Sequence, residues 1–382
     1  MSEIRVNSLG NETNTGGPEL SGITEFSGQQ YFIPPKGTTA QRPSGCPAGS
    51  IRFNTDTAHL EYWNGLVWLE FEASSEELGD QNNTNSSGGT GVRGLIGGGF
   101  RSGNLDEIQY ITISTLGNAQ DFGNLTSARR GVGGCSSSTR GLFGGGQGPA
   151  VVNTIEFITI ASIGNAQDFG DLLAPIRQKT GLSNSTRGFL AGGYNPSLSP
   201  VFTKSIDYVT IASTGNSQDF GDLSIAKGAM SACSSPIRGI FSGGYSPTSA
   251  DSIEFITIST LGDAQDFGNL SVAKSTLGSC SSSTRGVFGG GTPTPGVLNT
   301  IEFITISTLG NSQDFGDLSA GRSQVNACSS SIRGVWVGGQ TPSNSDLMDF
   351  VNIAITGNAI DFGDLLATNQ QTAAFSNGHG GL

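Results

Sequence analysis

The feature that most constrains the fold of this chain is a sixfold internal repeat. Each copy carries an Arg-Gly pair, two apolar residues and, one residue later, a diglycine, and successive copies start 47, 47, 51, 47 and 48 residues apart. The repeat arginines are Arg93, Arg140, Arg187, Arg238, Arg285 and Arg333. A period of about 40–50 residues with several short strands per unit is typical of a β-propeller or a similar array. The sequence therefore predicts an all-β fold of six blades.

A single repeat contains four short strands. In residues 278–320, the segments 278–281 and 285–289 predict the first two strands. Residues 301–306 (IEFITI) are rich in β-branched residues and predict the third, and residues 313–318 (QDFGDL) predict the fourth. Four short antiparallel strands make one propeller blade.

The two ends of the repeat region indicate how the array closes. Residues 83–89, which precede the first repeat, contain no apolar residue that could form a first strand. Residues 371–376 (QTAAFS) follow the fourth strand of the sixth repeat. They match residues 324–329 (QVNACS), which form a predicted first strand. We therefore expect the C-terminal strand to complete the first blade, so that no edge is left open.

The chain divides into four predicted segments. They are an extended arm over residues 1–41, a small β-hairpin module over 42–72, a flexible linker over 73–90 and the six-bladed propeller over 91–382. Within the module, residues 51–54, 60–63 and 67–70 predict three strands, with Asn64-Gly65 as a two-residue hairpin turn. A three-stranded sheet of this size is marginal alone and should pack against something else.

Composition excludes several classes of function. The formal net charge is −12, whereas a nucleic-acid-binding protein needs a basic face. No apolar run reaches the roughly 18–20 residues that a bilayer span requires, so we expect no membrane insertion. The first residues, MSEIRVNSLGNETN, contain no apolar signal-peptide core. These features predict synthesis in a cytoplasm and no nucleic-acid partner.

Cysteine and histidine usage favours neither a metal site nor an enzyme. Four cysteines lie five residues before a repeat arginine, and Leu182 and Phe375 stand at the two remaining equivalent positions. A position that accepts Cys, Leu or Phe is a buried apolar position. Only His59 and His379 exist, so a catalytic triad or a multi-histidine metal site is hard to assemble. We predict no cofactor and no enzymatic activity, although a carboxylate pair for glycoside hydrolysis stays open.

The diglycines resemble those of the kelch repeat, in which the second strand of each blade ends in Gly-Gly. They recur at 98–99, 145–146, 192–193, 243–244, 290–291 and 338–339, so the resemblance covers residues 91–382. It implies a kelch-like β-propeller. The tryptophan that kelch blades carry on the fourth strand is replaced by phenylalanine in all six copies, for example by Phe315.

A second resemblance concerns residues 42–71. The run PAGSIRFNTDT at 47–57, LEYW at 60–63 and Trp68 are similar to a module common in bacteriophage virion proteins, especially tail fibres. The phrases IEFITI, GNAQDFGDL and CSSSTRG also resemble repeats in structural proteins of phages that infect marine cyanobacteria. Together they imply a virion protein that is made in the host cytoplasm.

Two sets of repeated charges are expected to be structural, because six equivalent copies serve six equivalent blades. The first set is the repeat arginines, which we expect to hydrogen-bond carboxylates or carbonyls between blades. The second precedes the fourth-strand phenylalanines: Asp121, Asp168, Asp219, Asp266, Asp314 and Asp361.

Binding is expected where the repeat symmetry breaks. The loops between second and third strands differ in every blade, and they share a face with the links between blades. The loop candidates are Phe100, Tyr194, Phe202 and Tyr245. The links add a predicted ring of cations: Arg129, Arg130, Arg177, Lys227, Lys274 and Arg322.

The function expected from these patterns is that of a phage tail fibre or similar appendage whose propeller binds the host surface. Its ligand would be a surface polysaccharide or an outer-membrane component. Residues 1–72 would bind other virion proteins and hold any homotrimer contact. Two alternatives are a capsid or tail decoration protein with a purely structural role and an envelope-polysaccharide hydrolase.

Overall fold

The structure, a computed structural model, describes residues 34–57, 59–70, 92–293 and 295–382. The chain forms two compact units, residues 1–75 and 76–382. Apart from one short 3-10 turn at Thr39–Gln41, all regular structure in the described residues is β. No described helix is long and apolar enough to cross a bilayer.

The N-terminal unit contains a four-stranded sheet in the order Lys36–Gly37, Ile51–Asn54, His59–Trp63 and Trp68–Glu70. The first two strands are parallel, so the sheet begins before the predicted boundary at residue 42. The predicted arm up to residue 33 and the predicted linker over 73–90 lie outside the described residues.

The hairpin of the N-terminal unit differs from the predicted two-residue turn. Trp63 pairs with Trp68, so four residues, 64–67, connect the strands. The Asn64 side-chain oxygen accepts hydrogen bonds from the backbone N–H groups of Leu66 and Val67, both at 2.8 Å. This Asx-type bonding favours the longer turn over the type I′ turn that Asn-Gly otherwise favours.

The polar residues of the tail-fibre-like module form a buried network in this unit. Glu61 is fully buried, and its carboxylate lies 2.6 Å from Nη2 of Arg42 and 3.4 Å from Nη1 of Arg52. Asn54 donates to the same carboxylate at 3.2 Å. The hydrogen bond from Arg42 lowers the pKa of Glu61 below its ordinary value, although burial acts in the opposite direction. The RFN and LEY motifs therefore supply the polar core of a very small sheet.

The described residues of the C-terminal unit form six four-stranded antiparallel sheets, which we number 1 to 6 in the order of the repeat arginines. The first strands are Ala373–Ser376, Gly133–Ser136, Thr180–Ser183, Ser231–Ser234, Gly278–Ser281 and Asn326–Ser329. The second strands are Arg93–Gly97, Arg140–Gly144, Arg187–Ala191, Arg238–Ser242, Arg285–Gly289 and Arg333–Val337. The third strands are Glu107–Thr112, Thr154–Thr159, Ser205–Thr210, Ser252–Thr257, Thr300–Thr305 and Leu347–Asn352. The fourth strands are Gln120–Asn124, Gln167–Asp171, Gln218–Asp222, Gln265–Asn269, Gln313–Asp317 and Ile360–Asp364.

This architecture is all-β and β-propeller-like, as the repeat predicted. In sheet 1 the C-terminal segment pairs with the first repeat strand, with Ala373 opposite Gly97 and Ser376 opposite Gly94. A two-stranded hairpin, Gln340–Thr341 with Ser343–Asn344, is added in the loop of sheet 6.

Serine hydroxyls join the first strands of neighbouring sheets. Each hydroxyl donates to the backbone carbonyl of the equivalent serine in the preceding sheet, and Ser376 of sheet 1 donates to Ser329 of sheet 6. The six residues are Ser136, Ser183, Ser234, Ser281, Ser329 and Ser376. All six are buried, so each bond satisfies a hydroxyl and a carbonyl that water does not reach.

A second set of contacts lies where the links enter the first strands. Five non-glycine residues there have φ between 53° and 57°, and Gly131 (φ 62°) holds the sixth equivalent position. They are Gln178, Ala229, Thr276, Gln324 and Gln371. The N–H of Gln178 donates to the carbonyl of Gly131 at 2.7 Å, and that of Gly131 to the carbonyl of Gln371 at 2.9 Å. Such bonds offset the left-handed conformation, which costs about 1–2 kcal/mol per residue.

The glycine that follows each repeat arginine is explained by the packing between sheets. A Cβ on Gly94 would lie 2.5 Å from Sγ of Cys328, and one on Gly188 would lie 2.6 Å from Sγ of Cys135. The repeat cysteines are buried as predicted, and burial raises the pKa of Cys135, Cys233 and Cys328 to about 12. They therefore act as small apolar side chains that pack against the next sheet.

Residues 379–381 contact the buried serines of the first strands. Nε2 of His379 is 3.1 Å from the carbonyl oxygen of Ser136 and 3.2 Å from the hydroxyl of Ser183, and the Gly380 N–H donates to Ser281 at 3.0 Å. A Cβ on Gly380 would lie 2.2 Å from the carbonyl oxygen of Ser282. The segment thus fits only because glycine allows this close approach.

We expect His379 to make the stability of the C-terminal unit depend on pH. Burial lowers its pKa to about 4, although the Ser136 carbonyl acts in the opposite direction. Between pH 6.5 and 4 the unfolded chain binds more protons, so the free energy of unfolding falls as pH drops, by up to about 3 kcal/mol. Urea unfolding at pH 7 and pH 4.5 should show a smaller loss for His379→Gln than for the parent chain. Equal losses in both proteins would contradict this assignment.

Candidate functional site

The repeat arginines connect neighbouring sheets through backbone carbonyls. Nη1 of Arg93 in sheet 1 donates to Ile160 after the third strand of sheet 2 at 2.8 Å, and Nη1 of Arg333 in sheet 6 donates to Ile113 of sheet 1 at 3.1 Å. All six guanidinium groups lie 4.6–5.2 Å from the centre of a third-strand aromatic ring. Of the two acceptors that the sequence predicted, the carbonyls are therefore the ones used.

The repeat aspartates lie on the surface. Asp121, Asp168, Asp219, Asp266, Asp314 and Asp361 are all exposed. Each is followed by a buried phenylalanine of the same fourth strand. No ion pair involving these carboxylates occurs within the described residues.

Four of the predicted surface cations are buried, which corrects the expectation of an exposed cationic ring. The side chains of Arg129, Lys227, Lys274 and Arg322 are at most 1 % exposed. Each forms an ion pair with a third-strand carboxylate, at 2.5–2.9 Å: Glu156, Glu254, Glu302 and Asp349. Since a buried charge needs a partner, these cations belong to internal ion pairs and are not accessible to a receptor.

The two remaining sheets show how strictly the pairing is kept. In sheet 3 the equivalent cation position holds Ile176, and Lys179, three residues later, lies 3.4 Å from Asp207 instead. In sheet 1 both positions are neutral, with Asn369 and Gln109 both 1 % exposed. In each sheet the cation and the carboxylate are therefore either both present or both replaced by neutral residues, as expected for a buried pair.

The loop aromatics come together in one place. The rings of Tyr194 and Phe202 are 5.1 Å apart, and those of Phe202 and Tyr245 are 6.0 Å apart. They line a cavity of about 330 Å³ together with Arg177, Gln178, Gly228, Ala229, Ser275 and Thr276. Tyr245 is 42 % exposed, so at least one ring is open to a ligand.

Arg177 and Arg130 continue this cluster toward sheet 2. Arg177 lies 5.0 Å from the ring centre of Tyr194, and Arg130 lies 4.7 Å from that of Phe100. Nη1 of Arg177 donates to the side-chain oxygen of Gln147. Both arginines are partly exposed, unlike the four buried cations. Of the predicted candidates, Tyr194, Phe202, Tyr245 and Arg177 line this cavity, and Phe100 contacts Arg130. We call these five residues and Arg130 the candidate binding face.

The candidate binding face owes its asymmetry to one position in each sheet. The residue after the diglycine is Phe100, Gln147, Tyr194, Tyr245, Thr292 or Gln340 in sheets 1 to 6. It forms an isolated β-bridge with the link that precedes its own sheet, as between Tyr194 and Arg177 or between Thr292 and Ser275. The backbone frame is thus constant, while aromatic side chains occupy sheets 1, 3 and 4 only.

The cavity offers stacking surfaces and hydrogen-bonding groups but no carboxylate. Its described lining contains three aromatic rings, two of which carry a phenol hydroxyl, together with one guanidinium, one amide and two aliphatic hydroxyl side chains. A neighbouring cavity of about 100 Å³, lined by the left-handed residues Gln178, Ala229 and Thr276 among others, also lacks Asp and Glu. No group of three or more potential metal ligands occurs among the described residues.

Sequence reasoning missed Gln147, Gln178 and Lys179. Gln178 follows a link arginine and was not distinguished from the surrounding loop, and Lys179 occupies a position that is apolar in four other sheets. Aligning the six repeats on the diglycine marks Lys179 as exceptional, which is the signal that could have identified it.

No family model matches the chain, and no curated protein matches it.

Proposed function

We propose that the six sheets are the blades of a six-bladed, kelch-like β-propeller closed by the C-terminal strand. Three features support this proposal. The C-terminal strand pairs within sheet 1. The serine hydrogen bonds run from sheet to sheet and include the step between Ser376 and Ser329. The repeat arginine of sheet 6 donates to a carbonyl of sheet 1.

We propose that the chain is a phage virion structural protein, a tail fibre or similar appendage, whose propeller binds a polysaccharide on the host surface. The resemblance of residues 42–71 to phage tail-fibre modules supports the virion assignment. In this proposal residues 1–72 attach the protein to other virion proteins and carry any homotrimer contact.

The observation that carries the binding role is the cluster of Tyr194, Phe202 and Tyr245 in a cavity where the repeat symmetry breaks. The apolar faces of sugar rings pack on aromatic side chains, while their hydroxyl groups bond to nearby polar groups. Tyrosine suits such a site because its ring is apolar and its hydroxyl is polar. A rigid frame with variable residues at the loop bases is a common arrangement for recognition.

A decoration role is the second candidate, and a different surface favours it. Leu116, Ile163, Leu261, Leu309 and Ile355 lie in the turns between third and fourth strands and are 59–66 % exposed. Repeated exposed aliphatic residues are typical of protein contact surfaces. The third candidate, a polysaccharide hydrolase, has less support because glycoside hydrolysis needs two carboxyl groups at the bound sugar.

Binding of the full-length chain to whole cells tests the proposed function. We expect saturable binding to some marine cyanobacterial strains and none to unrelated bacteria. The triple variant Tyr194→Ala, Phe202→Ala, Tyr245→Ala should weaken binding by more than about tenfold, because stacking residues dominate such sites. Thr292→Ala, the equivalent position of sheet 5, is the matched control. Unchanged binding by the triple variant would exclude this face, and a folded protein that binds no strain would favour the decoration role.

A further inference from the structure

Arg130 and Arg177 stand apart from the other cations of the C-terminal unit. Every other Lys and Arg in its described part donates to a carboxylate or a backbone carbonyl. For Arg130 and Arg177, no carboxylate lies within 4.0 Å among the described residues. The buried Nε atoms of both lack an acceptor, as do those of Arg93, Arg129 and Arg322. Two positive charges are therefore left uncompensated on a protein whose net charge is −12.

The two guanidinium groups are close enough to affect each other. Burial lowers the pKa of Arg177 below its ordinary value, and the positive charge of Arg130 lowers it further. Like charges at adjacent sites are unfavourable unless an anion lies between or beside them. An anionic ligand would relieve this repulsion.

Each of the two guanidinium groups lies over an aromatic ring. Arg177 lies over the ring of Tyr194, which in turn contacts Phe202. Arg177 itself lines the aromatic cavity. Arg130 lies over Phe100. A guanidinium stacked on a ring keeps its plane fixed and its N–H edge available, which favours bidentate recognition of a carboxylate or a sulfate.

The repeat arginines provide an internal comparison. They lie over aromatic rings at similar distances, but their Nη1 atoms donate to carbonyls of the next sheet. At those positions a guanidinium group that lies over a ring therefore also donates a hydrogen bond to a backbone carbonyl. For Arg130 no acceptor is present within the described residues, and the hydrogen-bond partners of Arg177 are side chains, those of Gln147 and Tyr194.

We propose that the ligand of this face is an acidic glycan, whose carboxylate or sulfate group binds Arg130 and Arg177 while its sugar rings pack on Tyr194, Phe202 and Tyr245. This proposal rests on the proposed glycan-binding function and specifies the class of glycan. The two acid groups share the same oxyanion chemistry, and the experiment below separates them.

Titration of the full-length chain with three soluble polysaccharides tests the inference: polygalacturonate, dextran sulfate and neutral dextran. At about 0.15 M salt we expect at least one acidic polymer to bind more than about tenfold more tightly than dextran, with binding weakened at higher salt. The double variant Arg130→Gln, Arg177→Gln should remove this preference. Arg177→Lys, which keeps the charge but loses the planar fork, should retain part of it. Lys204→Gln is the matched control, because Lys204 is already paired with Asp222.

The outcomes separate this inference from the proposed function. One possible result is that dextran and the acidic polymers bind equally well and that the aromatic triple variant binds none of them. This result would overturn the acidic-glycan inference but would support glycan binding. Acidic-polymer binding that survives in the double arginine variant would also overturn it. If no polymer and no cell binds to the folded protein, both proposals fail.

Discussion

Replacing Glu302 with Gln is expected to destabilise the C-terminal unit by about 3–5 kcal/mol, because it leaves the buried Lys274 ammonium without its counter-charge. Nζ of Lys274 lies 2.9 Å from the Glu302 carboxylate, and the two side chains are 0 % and 3 % exposed. Burial acts to raise the pKa of Glu302, but the charge of Lys274 and the hydrogen bonds from Ser312 and Ser271 outweigh it and lower the pKa. The carboxylate is therefore charged in the folded protein at neutral pH.

The control for this prediction comes from sheet 1, where the acid position is Gln109 and no cation is present. The backbone N–H of Leu366 donates to the Gln109 side-chain oxygen at 2.9 Å, as that of Ser271 donates to Glu302 at 3.0 Å. We expect the double variant Lys274→Met, Glu302→Gln to recover most of the loss, to within about 1–2 kcal/mol of the parent chain. Urea unfolding of the parent, both single variants and the double variant gives the coupling energy. Additive losses would show that the pair is not coupled.

Replacing Gly290 with Ala is expected to cost about 2–5 kcal/mol, the sum of a left-handed backbone and an overpacked contact. Gly290 has φ of 70°, and its Cβ would lie 2.6 Å from the backbone carbonyl oxygen of Arg322. Because that oxygen belongs to the backbone, no side-chain rotation relieves the contact. This close approach explains why the first glycine of the diglycine recurs in every repeat.

Gly103→Ala is the matched control for Gly290→Ala. A Cβ on Gly103 would meet no atom within 4 Å, and its backbone is not left-handed. We expect its free energy of unfolding to lie within about 0.5 kcal/mol of the parent. Fluorescence of Trp336, the one tryptophan in residues 76–382, reports the unfolding because its ring is fully buried. Similar losses for the two alanine variants would contradict the packing explanation.

Much of the C-terminal fold can be predicted from the sequence because the same residue pattern recurs in each repeat. The third strand predicted at 301–306 spans Thr300–Thr305, and the fourth, predicted at 313–318, spans Gln313–Asp317. The burial of the repeat cysteines also follows from Leu182 and Phe375 at the equivalent positions. These predictions depend on local periodicity and on substitution between copies, both of which the sequence contains.

The location of the cations could not be predicted by the same reasoning. Lys274 and Glu302 are 28 residues apart, and their contact depends on how a link folds back over a third strand. A charged residue in a polar link therefore suggested an exposed position. Two features of the repeats indicate a buried pair. In sheet 3 the cation moves from the position of Ile176 to that of Lys179, and in sheet 1 both charged positions are neutral, as Asn369 and Gln109.

The candidate binding face was predicted in part. The variation of their loops marks Tyr194, Phe202 and Tyr245 as candidates, but loop variability does not predict which side chains contact one another. Their contact arises because Tyr194 and Tyr245 occupy the same position in adjacent sheets, while Phe202 lies in the loop between the second and third strands of sheet 3. The pairing of Arg177 with Tyr194 likewise depends on a β-bridge between a link and a loop.

The most direct test of the central claim is a crystal structure of the full-length chain soaked with an oligosaccharide of the best-binding polymer. We predict a sugar ring packed on Tyr245 or Phe202, with its acid group within hydrogen-bonding distance of Arg177 or Arg130. A bound sugar on the exposed turns that carry Leu116 and Leu261, or at any site away from these aromatic rings, would contradict the account.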